Sequence, residues 1–403
     1  MTAPPAVSRM MLPEPAWVGT PAGAALLAAL DAGAGATRLV GGAVRDALLG
    51  VTGADIDLAT RLPPTEVMQR LRAAGLKAVP TGLAHGTVTA VADGLTAEVT
   101  TLRRDVATDG RHAEVVFTDD WQADASRRDF TINALYAALP AGEISDYFGG
   151  LADLRARRVR FIGAPLQRIA EDHLRILRFF RFSARFAAVV DGEGLAACAA
   201  RANDLMALSR ERIAGEMRGL LAVPDPVATA ALMLEHGILV PVLPEITTAR
   251  VPVLARTVAA EAATGAAPDW RRRLAALLPA DALVAETIAR RLRLSNADRA
   301  RLTLAAVPHD GSALYPLAWR IGAEAVVDRL LIAGNDGPDA SAVLAWVRPR
   351  LPASGRDLLA RGLQPGPAVA ARLAAFERTW VDAGFPQDLA TVTALLDRAA
   401  AET

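Results

Sequence analysis

The apolar positions of this chain change rhythm near Phe161. Before that point they fall in short runs broken by glycine, and after it they recur every three or four residues. Residues 1–15 are Pro-rich and read as loose, and 16–32 predict a helix with Leu26, Leu27 and Leu30 on one side. ATRLVGG predicts a strand and tight turn, AVRDALLG a helix, ADIDLAT a second strand, and TEVMQRLRAAG a helix closed by Gly75. GTVTAV and TAEVTTL flank Asp93-Gly94, a strong hairpin signal. RRDVATDGRHAEVVFTDDW is polar and predicts mostly loop, whereas RRDFTINALYAAL predicts a helix leading into a strand. Beyond Phe161 the Ala- and Leu-rich periodicity is helical, with breaks at Pro224/Pro226, Pro241–Pro244, Pro308, Gly334–Pro338 and Gly362–Pro367. The expected fold class is α+β: a head built on a small mixed sheet with helices, followed by an elongated all-helical neck, body and tail. The expected divisions are 1–34 (N-terminal extension and helix), 35–160 (head), 161–222 (neck) and 223–403 (body and tail).

Composition narrows the function. The chain has 403 residues, 52% of them apolar and 22% charged, which excludes disorder as the overall state. Lys+Arg and Asp+Glu are both 44, so no whole-molecule basic field exists and a nucleic acid must be held by local patches. Lys77 is the only lysine; every other basic group is the planar donor fork of arginine. A single cysteine, Cys198, excludes a disulfide framework and a multi-Cys zinc site. It fits a reducing cytosol, and with no apolar h-region at the N-terminus and no bilayer-spanning run, a cytoplasmic protein without membrane association is expected.

Asp55 and Asp57 stand two apart on a predicted strand, so both carboxylates point to one face. That spacing suits a shared cation, or two Mg²⁺ ions about 3.5–4 Å apart. Gly41-Gly42 lies between a strand and a helix start, with Arg45 close behind. Glycine lets backbone approach a ligand, and helix N–H groups with an arginine suit a triphosphate. Glu98, on the strand after the Asp93-Gly94 turn, could accept the proton of an attacking hydroxyl or complete metal coordination. The GxGxxG spacing and a Walker lysine are both missing, which sets aside a Rossmann or P-loop reading.

LVGGAVRDALLG followed by ADIDLAT resembles the opening motif of class II tRNA nucleotidyltransferases and bacterial poly(A) polymerases, a branch of the DNA polymerase β-like superfamily. SRRDFTINALY (126–136), DYFGGLADL (146–154), RFIGAPLQRIAEDHLRILRFFRFSARF (160–186) and LSRERIAGEM (208–217) are similar to its further motifs, in the same order. The resemblance is close over 37–245; beyond it, LEHGILVPVLPEI and DLLARGLQPGP are similar to the family's RNA-binding tail. It implies a polymerase-β-like nucleotidyltransferase head and a neck that reads the incoming base.

Read as a helix, EDHLRILRFFRFSARF and the residues just before it gather Ile169, His173, Ile176, Leu177 and Phe180 on one side. Arg168, Glu171, Asp172, Arg175, Arg178, Arg181 and Arg185 fill the other half. Five arginines against two acids repel one another unless an anion answers them. The resemblance implies that Asp172 and Arg175 pair with the base, a carboxylate accepting from the exocyclic amine and a guanidinium donating to the ring nitrogen of C or A. It also implies nucleotide contacts from Arg128, Arg178 and Arg181, with Asp129 receiving the ribose hydroxyl. Arg212 and Glu216 are expected to buttress this element.

Weaker candidates complete the reading. His309-Asp310 lacks the further ligands of a metal phosphohydrolase. Trp270-Arg271-Arg272-Arg273 could touch tRNA phosphates or lie on a solvated turn, and Gly362–Pro367 could shape an RNA-contacting turn. The function implied is template-independent addition of CMP, CMP and AMP, from CTP and ATP, to the 3′ end of tRNA held by its acceptor arm, with two Mg²⁺ ions at Asp55 and Asp57. Poly(A) polymerase, a CC- or A-only tRNA nucleotidyltransferase, and an inactive tRNA-binding protein are the alternatives. AHGTVTAV (84–91) resembles the CCA-adding type. The loop 103–114 resembles the family's specificity loop, without the Tyr often found before Asp109-Gly110-Arg111.

Overall fold

The structure is a computed structural model that describes residues 7–51, 53, 55–108, 113–335 and 337–401. Two compact units divide the chain: one runs to Leu220 and includes Leu232–Val242, and the other holds Leu221–Ala231 and Leu243 onward.

The first unit is organised by ten strands, β1 (Val7–Met11), β2 (Thr37–Val40), β3 (Ile56–Thr60), β4 (Lys77–Gly82), β5 (Thr87–Ala92), β6 (Leu95–Thr101), β7 (Arg103–Thr108), β8 (Ala113–Phe117), β9 (Leu135–Ala138) and β10 (Glu143–Asp146). Eight form one sheet in the order β1-β10-β9-β2-β3-β6-β5-β4. Every pairing in it is antiparallel except β3 with β6. The Asp93-Gly94 turn joins β5 to β6 with positive φ at both residues (38° and 79°), as a tight hairpin requires.

On one face of the sheet lie α1 (Pro21–Ala29), α2 (Gly42–Leu48) and α3 (Pro64–Ala73). The stripe of Leu26, Leu27 and Leu30 is buried here with Leu58, Val67, Leu71, Val88 and Val99. The other face packs Ala59, Val40, Leu102 and Tyr136 against Trp121 and Ala125 of α4 (Trp121–Ser126). The unit continues through α5 (Gly150–Arg155), α6 (Pro165–Glu171), α7 (Arg175–Phe186), α8 (Gly192–Ala200), α9 (Arg210–Leu221) and α10 (Val227–Glu235), the last two reaching into the other unit's residues. Phe161 stacks on Phe179 at 5.5 Å, and Phe130 meets Phe182 at 5.4 Å, fixing α7 to the sheet-bearing part.

Four expectations need correction. The loose N-terminal stretch contains β1, which covers the otherwise open edge of β10. The predicted loop after Arg103 is a two-stranded ribbon of β7 and β8, because its β-branched residues outweigh its polarity; Asp109-Gly110-Arg111 lies outside the described residues. The helix expected at the start of RRDFTINALYAAL shrinks to a single 3₁₀ turn, Thr131–Asn133, where the Thr131 hydroxyl donates to Asp153 at 2.6 Å. The single helix expected over 171–186 breaks at Asp172, which is extended (φ −152°, ψ 108°). Its own carboxylate accepts from Leu174 N at 3.1 Å, a local bond that competes with the helix.

The second unit is helical: α11 (Val251–Thr264), α12 (Trp270–Leu277), α13 (Ala282–Arg291), α14 (Asn296–Ala305), α15 (Leu314–Ile321), α16 (Ala323–Ala333), α17 (Pro338–Ala345), α18 (Gly355–Leu359), α19 (Pro367–Asp382) and α20 (Leu389–Ala401). Asp269, Asp281 and Ser295 cap α12, α13 and α14 through their side chains. The basic run at 271–273 is not a solvated patch. Arg272 and Arg273 are 4% and 1% exposed and bind Glu261 and Asp328 inside the unit. Among the described residues no helix is long and apolar enough to cross a membrane.

Candidate active site

β3 alternates strictly: Ile56 and Leu58 pack into the core beneath α1 and α3, so Asp57 faces the opposite side with Ala59. Asp55 lies two residues earlier, just before the strand begins, and its charge acts on Asp57. Glu98 reaches this point through the parallel pairing of β3 with β6, which sets it directly across from Asp57. Burial, then the charge of Glu98, then that of Asp55 push the Asp57 carboxyl up to about 6, against the pull of Arg128 and Arg45. No three His, Cys, Asp or Glu side chains among the described residues form a ready ligand set for a metal. The arrangement is instead a pair of neighbouring aspartates whose crowded charge a cation would relieve. Such a pair suits an ion completed by substrate phosphates, as Mg²⁺ sites are.

The glycine turn lies between β2 and α2. Gly41 has φ 68° and ψ −126°, and a Cβ there would come 3.1 Å from Arg128 Nη1. Only glycine meets both conditions. Arg45 is 5% exposed, bonded to Asp46 (Nε to Oδ1, 2.8 Å) and to Asn133 Oδ1, with Phe186 4.3 Å beneath it. Arg128 donates to the Tyr136 hydroxyl (3.1 Å) and to Asp124 (3.3 Å). Burial alone would raise Asp124, but Arg128, Arg127 and the donated Tyr136 hydroxyl bring it down to about 2.

Asp129 is buried, and each of its oxygens accepts two hydrogen bonds. Oδ1 takes Phe130 N (2.8 Å) and Asn133 Nδ2 (3.1 Å), and Oδ2 takes Arg178 Nε (2.7 Å) and Nη2 (2.6 Å). Its lone-pair sites are filled, so the ribose hydroxyl expected there has no acceptor left. Asp172, at the break between α6 and α7, is held by Arg212 Nη2 at 3.0 and 2.8 Å. Arg175 is buried and donates to Glu171 (2.6 Å), Arg168 O (2.8 Å) and Arg127 O (3.0 Å). Arg181 binds Glu216 at 2.6 Å, and Arg178 and Arg181 both lie over the Phe182 ring.

The excess positive charge expected on this segment is therefore answered within the protein, by Glu171, Asp129, Glu216 and, for Arg185, Asp46. Asp57, Arg45, Arg128, Asp129 and Arg178 form one connected cluster, and Arg175 joins it through the backbone of Arg127. Two members escaped the sequence reading. Asp124 was signalled by its place three and four residues before Arg127 and Arg128. Asn133, which links Arg45 to Asp129, carried no such signal.

Two family models match the chain: the poly A polymerase head domain over 37–160, and the probable RNA and SrmB-binding site of polymerase A over 190–250. The mouse mitochondrial CCA tRNA nucleotidyltransferase 1 is 49% identical over 191 residues, which is 46% of this chain and 43% of that protein. The chain thus spans less than half the length of that relative. The CCA-adding enzyme of Levilactobacillus brevis is 32% identical over 380 residues, covering 89% of this chain and 93% of that one. The chain belongs to the CCA-adding enzyme family. The Bacillus stearothermophilus CCA-adding enzyme, solved in complex with CTP, superposes with a TM-score of 0.69 at 26% identity, covering 94% of this chain and 98% of that one. The α+β class and the sheet-then-helices plan expected from the sequence are those of this CCA-adding enzyme.

Proposed function

We propose that the protein adds CMP, CMP and AMP, from CTP and ATP, to the 3′ ends of tRNA without a nucleic-acid template. The observation that carries this reading is the parallel register of β3 and β6, which sets Glu98 against Asp57 beside Arg45 and Arg128. Asp55 and Asp57 would hold divalent cations, two Mg²⁺ ions on this reading, which when bound supply charge neutralisation at the phosphates and acidify the 3′-hydroxyl. Glu98, paired with Asp57, would accept that hydroxyl's proton or complete the coordination. Arg45, Arg128 and the backbone at Gly42 bind the triphosphate. The 3′-oxygen attacks the α-phosphorus, and the bond to pyrophosphate breaks.

Base choice rests on Asp172 and Arg175. A carboxylate has about four lone-pair sites, and the Arg212 clamp leaves some of them free to accept an exocyclic amine. Arg175 keeps Nε–H and one Nη2–H beyond its three bonds to the protein. Uracil and guanine present the reverse pattern, and each group left unpaired costs about 1–3 kcal/mol. Arg178 and Arg181 complete the nucleotide site, with Asp129 and Glu216 fixing their geometry. The helical body would grip the acceptor arm by phosphates and shape. A cytosolic setting fits the lone, buried Cys198.

The test supplies tRNA ending at the discriminator base with each NTP, alone and together. Growth by three residues with CTP and ATP, and none with UTP or GTP, is the expected product. The head's match to the poly A polymerase model supports a second reading; a long A tail from ATP alone would establish it and overturn the first.

A further inference from the structure

In the helical unit, a cleft of about 140 Å³ has the wrong charge balance for a packing gap. Arg250, Arg256 and Arg329 line it with His309 and small apolar side chains, and it is roomy enough for several waters. Six arginines are buried among the described residues: Arg45, Arg168, Arg175, Arg272, Arg273 and Arg329. The first five each meet a carboxylate; Arg329 meets none, and donates only Nε to Leu304 O at 2.9 Å. Arg250 likewise gives Nε to Ala276 O at 3.0 Å and forms no ion pair. Burial and the neighbouring Arg256 charge depress its pKa.

Arg256 lies across Gly334, its Cδ 3.3 Å from where a Cβ would stand, so the glycine makes room for it at the cleft. His309 Nδ1 is buried without a hydrogen-bond partner. The local acid, Asp310, is turned to Ser312, accepting from its N at 3.0 Å and its Oγ at 2.5 Å. Its charge reaches Arg329 without forming an ion pair. Three guanidiniums and an open imidazole nitrogen line one cleft where no carboxylate pairs with them, and the buried charge of Arg329 without an ion-pair partner is unfavourable. Guanidinium forks match tetrahedral oxyanions in geometry and charge.

We propose that this cleft seats a phosphate group and, resting on the functional reading above, that the phosphate belongs to the backbone of the RNA substrate. The seat fixes where the substrate lies on the helical unit without reading its sequence.

The test compares full-length wild type with Arg256→Ala and Arg329→Met, using tRNA that lacks its terminal CCA. Arg256→Ala should weaken tRNA binding roughly tenfold and flatten the dependence of log Kd on log salt by about one unit. CTP affinity should not change. Arg256 is exposed, so this variant carries the test if Arg329→Met fails to fold. In parallel, inorganic phosphate at fixed ionic strength should raise the melting temperature of wild type more than that of Arg256→Ala. Unchanged tRNA affinity and salt slope would overturn the RNA assignment, and phosphate protection in that case would mark a free anion as the occupant. Equal phosphate protection of both proteins would overturn the seat itself. A wild type that extends no tRNA would instead defeat the functional reading, leaving the phosphate arm to be read by itself.

Discussion

Glu261 and Asp328 in the helical unit, and Asp57 in the head, are all carboxylates set close to arginines. Glu261 holds Arg272 and Arg273 at 2.7 Å each, and Asp328 holds Arg272 at 2.8 Å and Arg301 at 2.9 Å. Arg273 spends its remaining donors on the carbonyls of Leu221, Val223 and Pro224. In that network every charge is answered and nothing is left over for a ligand. In the head, Arg128 and Arg45 are already bound to Asp124, Asp46 and Asn133, and Asp57 of β3 is left beside the charges of Glu98 and Asp55. Saturation makes one cluster a structural pin. The unmet negative charge makes the other a place where a cation and a triphosphate lower the energy.

The contrast breaks most sharply at Asp55. Asp55→Ala should cut CMP incorporation by at least about 10⁴-fold, ~5.4 kcal/mol of transition-state stabilisation, while tRNA affinity stays within twofold. Activity within tenfold of wild type would show that the aspartate pair is not where the chemistry occurs.

The opposite cluster should fail by unfolding. Asp328→Ala strands Arg272 and Arg301 beside a cavity with no charge to meet, and loss of one partner from a buried pair costs about 3–5 kcal/mol. Urea unfolding of the full chain reads this directly. Below the variant's melting point kcat should be unaltered, and a stability loss under 1 kcal/mol would mean the network is redundant.

A subtler break lies at Arg212. Arg212→Met removes both Arg212 bonds to Asp172 and leaves its carboxylate held by Leu174 N alone. The ratio of kcat/KM for CTP over UTP should fall roughly tenfold, about 1.4 kcal/mol. The melting temperature should hardly move, because Arg212 and Asp172 are each about a third exposed (34% and 31%) and such pairs add little stability. A uniform fall in kcat with selectivity intact would assign Arg212 a purely structural part.

Much of this was readable beforehand because it is local. The Asp93-Gly94 hairpin and the turn at Gly41-Gly42 are short-range patterns and formed as expected; the second strand also formed, but it starts at Ile56 and leaves Asp55 just outside it. What the pattern hid was long-range or competitive. No local signal says that β6 lies parallel to β3, yet that pairing alone brings Glu98 to Asp57. The break at Asp172 was masked because helical periodicity continues on both sides of it. Charge counting also failed at α7 and at 271–273, since several of the acids that answer those arginines come from distant segments: Asp129, Glu216, Glu261 and Asp328.

The smallest effect tests the electrostatic half of the comparison alone. Asp57 titrates near 6 in the folded protein against an ordinary value of 3.8, so between those values the folded form binds more protons than the unfolded one. Stability of the cation-free protein then falls as pH rises through that window, and by pH 7.5 the ionised Asp57 is a net cost. Asp57→Asn removes the charge and keeps the shape. With the partial exposure of the site discounted for solvent screening, the variant should be more stable than wild type by about 1 kcal/mol at pH 7.5. The gain should vanish below about pH 4. Mg²⁺ should invert the order, raising the melting temperature of wild type and leaving Asp57→Asn where it was. A variant less stable than wild type at pH 7.5 without added cation would mean that Asp57 is answered like Asp328, and the distinction between the two clusters would be lost.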